Sequence, residues 1–224
     1  MTRPREVVPV AMTGARVLLA GAAGYALGCL PSADLATRLA GRDDVDLHRD
    51  GTGNPGGLNT SHVLGRGWGA GVTATDIGKA FVAGRLGLWL AGDRGATVAA
   101  TAAVVGHCHP VGRTGGKGVA SSIGHVASTF PAYLPIDLAV GAATAAAPWF
   151  RQRTRSATMV ASTAWVTAAA VWWWRDLPNP WGVTPGPELL AGTTVSAVVI
   201  AERFHAEVAR VEAYNAATCE GGGA

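Results

Sequence analysis

Seven apolar stretches rich in small residues, near residues 13–36, 68–91, 95–111, 118–131, 135–150, 157–174 and 188–204, divide this chain between short polar connections. A helix needs roughly 20 residues to cross a hydrocarbon core about 30 Å thick, and several stretches approach that length while others fall short. Only 15% of the 224 residues are charged and 49% are hydrophobic, with a mean hydropathy of +0.24. That is too little charge for the surface of an ordinary soluble domain of this size. The pattern predicts an all-α integral membrane protein, a compact bundle of about seven transmembrane helices. Alanine and glycine dominate the spans and let helix backbones approach closely. Residues 1–211 form one membrane-embedded domain in this reading, and 212–224 a short flexible tail.

The basic residues orient the bundle. With the N-terminus outside, the inner connections carry Arg38, Arg42, Arg49, Arg66, Arg113, Lys117, Arg151, Arg153, Arg155, Arg203 and Arg210, against Arg94 and Arg175 outside. The excess of inner positive charge supports that topology, although Arg3, Arg5 and Arg16 near the start oppose it. The pI of about 9.0 then reflects topology and attraction to anionic headgroups. No aromatic-basic interleaving points to nucleic acid. Arg3 and Arg5 before an apolar run ending at Cys29 loosely suggest an export signal, but further spans follow and favour a first transmembrane helix. Cys29, Cys108 and Cys219 are too widely spaced for a disulfide framework or metal array and read as unpaired thiols.

Two glycine-rich connections fall on the inner side. The first, Asp46 to Asn59, holds Arg49, Gly51, Thr52, Gly53, Asn54 and Asn59, suited either to cradling an oxyanion or to forming a solvated turn. The second, His107 to Gly118, ends Gly115-Gly116-Lys117-Gly118. Lys117 is one of two lysines among 18 basic residues, so its place in a glycine cluster favours a phosphate clamp over a positive-inside anchor that begins a helix. It is not a nucleotide P-loop, because Val111 stands where a glycine is needed and Gly118 where Ser or Thr would meet magnesium. His107-Cys108-His109 lacks the third or fourth ligand that zinc requires, and no metal is expected.

Asp76 and Lys79 share one face of an apolar helix, as a functional pair or as a structural ion pair. Ser32 follows Pro31 within the first span and Ser156 stands at the start of the sixth, where serine ordinarily satisfies helix termini, and no Ser-His-Asp order makes either a triad nucleophile. Trp172, Trp173 and Trp174 before Arg175 read as an interfacial belt.

Gly51-Thr52-Gly53-Asn54-Pro55-Gly56 with Asn59, Asp76 with Lys79, and His107-x-x-Pro110-Val111 leading to Gly115-Gly116-Lys117-Gly118 carry a resemblance. The chain resembles the bacterial acyl-phosphate-dependent glycerol-3-phosphate acyltransferases, the PlsY family, from about Tyr25 to Arg210. The resemblance implies transfer of an acyl group from acyl phosphate to the 1-hydroxyl of sn-glycerol 3-phosphate, giving lysophosphatidic acid and phosphate. It implies a monomer in a bacterial cell membrane, contacting membrane lipid, with its site facing the cytoplasm. No cofactor is needed because the leaving group is already activated. Ser156, His205 and Lys117 become the catalytic candidates. Ser32, Arg49, Gly51, Thr52, Gly53, Asn54, Asn59, Lys79, His107, Gly115, Gly116 and Gly118 become the substrate-binding ones.

The chain also departs from that pattern. His48 replaces a family arginine, and the connection from Val111 to Gly115 is about two residues shorter, with Arg113-Thr114 in place of more hydrophobic residues. After the last span, Phe204 stands for a histidine and Glu207 for an asparagine. His205 lies next to the vacated position, but one helical step rotates a side chain by about 100°. A catalytically impaired paralogue that binds phosphate-bearing lipid or glycerol phosphate is therefore an alternative, and a small anion transporter is a third.

Overall fold

The computed structural model describes the backbone of residues 10–148 and 153–221, with side chains from 14 to 148 and 154 to 207. Arg3, Arg5 and Arg151, and the side chains of Arg153, Arg210 and Cys219, lie outside the described residues. Helix α1 (Val10–Gly28) stops shortly before Pro31, whose missing N–H cannot extend it, and the chain restarts as α2 (Ser32–Leu39). Ser32 thus opens a second helix instead of lying inside one continuous span. A short α3 (Gly57–Val63) follows the first glycine-rich loop.

Helix α4 (Arg66–Cys108) holds two expected spans in one element. Ala91 (φ −147°, ψ 25°) and Gly92 (φ 64°, ψ −155°) break its helical path. The positive φ at Gly92 is open to glycine without steric cost. Beyond this break the chain folds back on itself: Gly87 abuts Gly95, and Lys79 reaches His107 at 2.9 Å. The result is an antiparallel hairpin with almost no connecting loop.

After Gly118, with φ 84°, come α5 (Val119–Thr129) and α6 (Leu134–Ala146), then α7 (Arg153–Arg175) and α8 (Pro187–Gly221). Each expected apolar stretch contains helix, but α5 and α6 have only 11 and 13 residues. At 1.5 Å per residue they rise about 16 and 20 Å, less than a full crossing. Among the described residues, Gly14–Leu39 is the one stretch long and apolar enough to cross by length and composition. The alanine and glycine content keeps the others shallow. Residues 212–221, expected as a loose tail, continue α8 as helix.

Small residues set the packing. Gly24 and Gly28 of α1 lie against the backbones of Ala99 and Ala103, and Gly106 lies against the Tyr25 carbonyl. A Cβ at these positions would overlap backbone atoms, so even alanine costs on the order of 1–3 kcal/mol through overpacking. Away from this seam, α5, α7 and α8 enclose Val126, Phe130, Trp165 and Leu189. Trp172 joins that core, edge-on to Phe130 with centroids 5.4 Å apart. It is therefore a packing residue, whereas Trp173 and Trp174 are exposed.

Candidate active site

The ends of α1 and α4, the start of α2 and both glycine-rich loops converge on one narrow, partly open cavity. Its floor is a chain of four polar side chains. Ser32 Oγ donates to Asp76 Oδ1 at 2.6 Å, and Lys79 Nζ lies 2.9 Å from the same oxygen. Lys79 also reaches His107 Nδ1 at 2.9 Å and the Leu30 carbonyl at 3.3 Å. An ammonium has three N–H groups and no acceptor, so these three partners exhaust Lys79. Asp76 and Lys79 are 2% and 3% exposed, and burial without these partners would strand a charge. The i,i+3 spacing legible in the sequence builds half of this network. The α4 hairpin and the Pro31 break supply His107 and Ser32.

His107 Nδ1 faces both Lys79 Nζ at 2.9 Å and Asp76 Oδ1 at 3.4 Å, so it meets a donor and an acceptor on the same side of the ring. Nε2 points at Gly116, where any Cβ would strike the ring.

The rim is also polar. Asp34 Oδ1 lies 3.0 Å from His48 Nε2, and Asp34 Oδ2 accepts from Arg113 Nη1 at 3.1 Å. Arg113 Nη2 donates to the Cys29 carbonyl. One carboxylate therefore joins α2 to both loops. The sequence reading missed Asp34 and gave Arg113 no role. The available signal was a lone carboxylate in an apolar run, two residues from Ser32.

Of the expected site residues, Ser32, Lys79, His107, Gly115 and Gly116 line the cavity. Others are turned to different tasks. Asn59 is buried, donates to the Leu47 and Asp50 carbonyls at 3.2 and 3.0 Å, and accepts from the Thr52 N–H at 2.8 Å. It staples the first loop together instead of offering itself to an anion. Gly51 packs on that staple with φ 64°, and Thr52, Gly53 and Asn54 stand away from the cavity wall, to which the loop contributes His48 and Pro55. Arg49 is 86% exposed and faces Asp46 at 3.6 Å, so it does not compensate at the cavity for the family arginine replaced by His48.

The second loop departs further from a free anion cradle. The Gly116 N–H is spent on the His107 carbonyl at 3.1 Å. Arg203 of α8 holds the carbonyls of Gly115 and Gly116 at 2.7 and 3.2 Å. Gly118 caps α5 against Cys108 and Ile200. Lys117 turns out of the cavity to Glu207, at 2.6 Å, with the Phe204 ring 5.0 Å from its ammonium. His205 is exposed, donates from Nδ1 to the Ala201 carbonyl at 2.8 Å and has Arg155 at 3.5 Å. Regular helix through this point keeps it on the wrong face to replace Phe204. Ser156 is half-buried at the start of α7 and absent from the cavity wall. The His107-Cys108-His109 run also splays apart: Cys108 packs with Val104, Ile200 and Phe204, and His109 faces Glu202 at 2.8 Å.

A family model described as Glycerol-3-phosphate acyltransferase matches residues 18–213. Proteins named glycerol-3-phosphate acyltransferase are similar to the chain in sequence. That of Thermoanaerobacter pseudethanolicus is 38% identical over 119 residues, covering 52% of this chain and 59% of that protein. That of Symbiobacterium thermophilum is 39% identical over 122 residues, covering 53% and 59%. The chain thus spans well under two thirds of these relatives' length. With that of Maricaulis maris it shares 34% identity over 164 residues, 72% of this chain and 74% of the other. In structure, the chain is similar to the crystal structure of PlsY (YgiH), an integral membrane glycerol 3-phosphate acyltransferase, in its glycerol 3-phosphate form. The TM-score is 0.67 at 25% identity, over 88% of this chain and 92% of that one. The all-helical bundle is accordingly that of an integral membrane protein.

Proposed function

The chain belongs to the glycerol-3-phosphate acyltransferase family, and from that membership we propose that it transfers an acyl group from acyl phosphate to the 1-hydroxyl of sn-glycerol 3-phosphate, releasing lysophosphatidic acid and phosphate. The observation that carries this reading is the Ser32–Asp76–Lys79–His107 chain at the floor of the cavity. The acceptor oxygen attacks the acyl carbon, the bond from that carbon to the bridging phosphate oxygen breaks, and phosphate departs with the bonding pair. The hydroxyl proton passes to a phosphate oxygen.

Ser32 keeps its proton and donates its hydrogen bond to Asp76, which fixes the hydroxyl oxygen toward the cavity as a polar contact that positions the acceptor until its proton leaves for phosphate. His107 presents Nε2 at the Gly116 wall, from where it can donate to oxygen on which negative charge develops. Lys79 sets both through the shared contacts, and Gly115 and Gly116 let substrate approach the wall without a side chain. The site faces the cytoplasm of a bacterial cell membrane, in keeping with the excess of positive charge on the connections that carry both glycine-rich loops. In this reading it acts as a monomer.

The test is release of inorganic phosphate by purified protein in lipid nanodiscs given acyl phosphate and glycerol 3-phosphate. Release should depend on both substrates and fall at least about tenfold in Ser32→Ala. Absence of release with glycerol 3-phosphate binding retained defeats the enzyme reading. It supports instead a paralogue that binds without turnover, which the Lys117–Glu207 pair favours.

A further inference from the structure

The cations that a phosphate would be expected to meet are not available in this cavity. Lys79 has spent its three donors on Asp76, His107 and Leu30. Lys117 faces Glu207, Arg49 faces solvent and Asp46, and Arg203 is engaged by two glycine carbonyls. Among the described residues, Arg113 is the permanently charged cavity-lining group whose partner can be exchanged.

Its geometry suits the exchange. One arm of the guanidinium is fixed on the Cys29 carbonyl at the end of α1. The other meets Asp34 Oδ2 at 3.1 Å. Asp34 and Arg113 are 33% and 28% exposed, open enough for a solute to compete. His48 approaches the other carboxylate oxygen at 3.0 Å, so the carboxylate sits between two nitrogen donors. A phosphate presents the same oxygen spacing with up to twice the charge.

We propose that Arg113, with His48 beside it, is the binding residue for the phosphate group of a substrate, and that Asp34 is a built-in counter-ion which that phosphate displaces. This rests on the acyltransferase reading for the source of the phosphate. It also assigns the altered Arg113-Thr114 stretch a specificity role. The shared ligand chemistry is a phosphomonoester or acyl phosphate dianion, and the acceptor and the donor are its two possible sources.

The experiment is calorimetric titration of the detergent-purified full chain with inorganic phosphate, glycerol 3-phosphate and glycerol, alongside steady-state KM values for both substrates. Arg113→Gln should weaken phosphate binding at least about tenfold, and Arg113→Lys, which keeps the charge but loses the fork, should weaken it less. Asp34→Asn should tighten binding several-fold, and that gain should vanish in the Asp34→Asn/Arg113→Gln double variant. Glycerol should respond to none of these changes. A KM rise confined to glycerol 3-phosphate assigns the subsite to the acceptor; one confined to acyl phosphate assigns it to the donor. If Arg113→Gln is unstable, Arg113→Lys and Asp34→Asn carry the test.

Unchanged phosphate affinity in the Arg113 variants, or weaker binding in Asp34→Asn, overturns the proposal. Wild-type turnover combined with Arg113-independent binding defeats this inference alone. Arg113-dependent binding without any turnover defeats the acyltransferase reading alone.

Discussion

Glu207 Oε2 lies 2.6 Å from Lys117 Nζ, joining the last helix to the glycine loop that borders the cavity. The two side chains are 22% and 23% exposed, so the contact is partly shielded from solvent. The carboxylate occupies the lysine that a passing phosphate would otherwise attract. Glu207→Gln should release that ammonium and raise acyl-phosphate-dependent phosphate release by roughly 3- to 10-fold, equivalent to the modest worth of a partly exposed pair. Comparing initial rates with those of Glu207→Gln/Lys117→Ala checks it. A gain that survives loss of the lysine would mean that Glu207 acts by another route.

Lys79→Met should destabilise the protein by about 3–5 kcal/mol, because it leaves Asp76 buried without its cation. Lys79→Met/Asp76→Asn removes the stranded charge and should recover part of the loss. Thermal unfolding in one detergent reads both, and equal losses in the two variants would contradict a charge-based cause.

Arg203→Lys keeps the charge but cannot hold the Gly115 and Gly116 carbonyls together with the same planar fork. Turnover should fall by about tenfold or more, while the unfolding midpoint moves only slightly. Faster amide exchange at residues 114–118 is the accompanying sign. A large midpoint shift would make Arg203 a general stabiliser instead.

Asn59→Ala removes three hydrogen bonds from the first loop and should cost about 1–3 kcal/mol of local stability. Hydrogen exchange should accelerate at Thr52 and its neighbours before any change elsewhere. By contrast, Arg49→Ala and His205→Ala, both outside the cavity, should alter turnover less than twofold. A stronger loss in either would return that residue to the site.

The sequence made visible what depends on local repetition. Apolar runs marked the helices, and the three-residue spacing of Asp76 and Lys79 placed them on one face. Pro31 was visible, but its effect on the first span was hidden by the apolar composition on both sides. The reversal at Gly92 was legible as the gap between the second and third apolar stretches, with Arg94 on the outer side; that it needs almost no connecting loop was not. Partnerships between distant segments were least legible. Asp34 and Arg113 are 79 positions apart, and nothing local to either names the other. Glu207 stood out as the replacement of an expected asparagine, yet its partner Lys117 could be identified only once α8 was laid across the second loop.

The direct seating of α1 on the returning arm of α4 also bears on how this chain can diverge. Where Gly24 and Gly28 meet Ala99 and Ala103, there are no large side chains to exchange one for another. Innovation at that seam is closed off by volume, so inherited variation is pushed outward to the parts mounted around it. The unusual residues His48, Arg113 and Glu207 all stand on such parts, two in loops and one in the second half of α8. The bundle acts as a fixed socket whose chemistry is revised by changing its fittings.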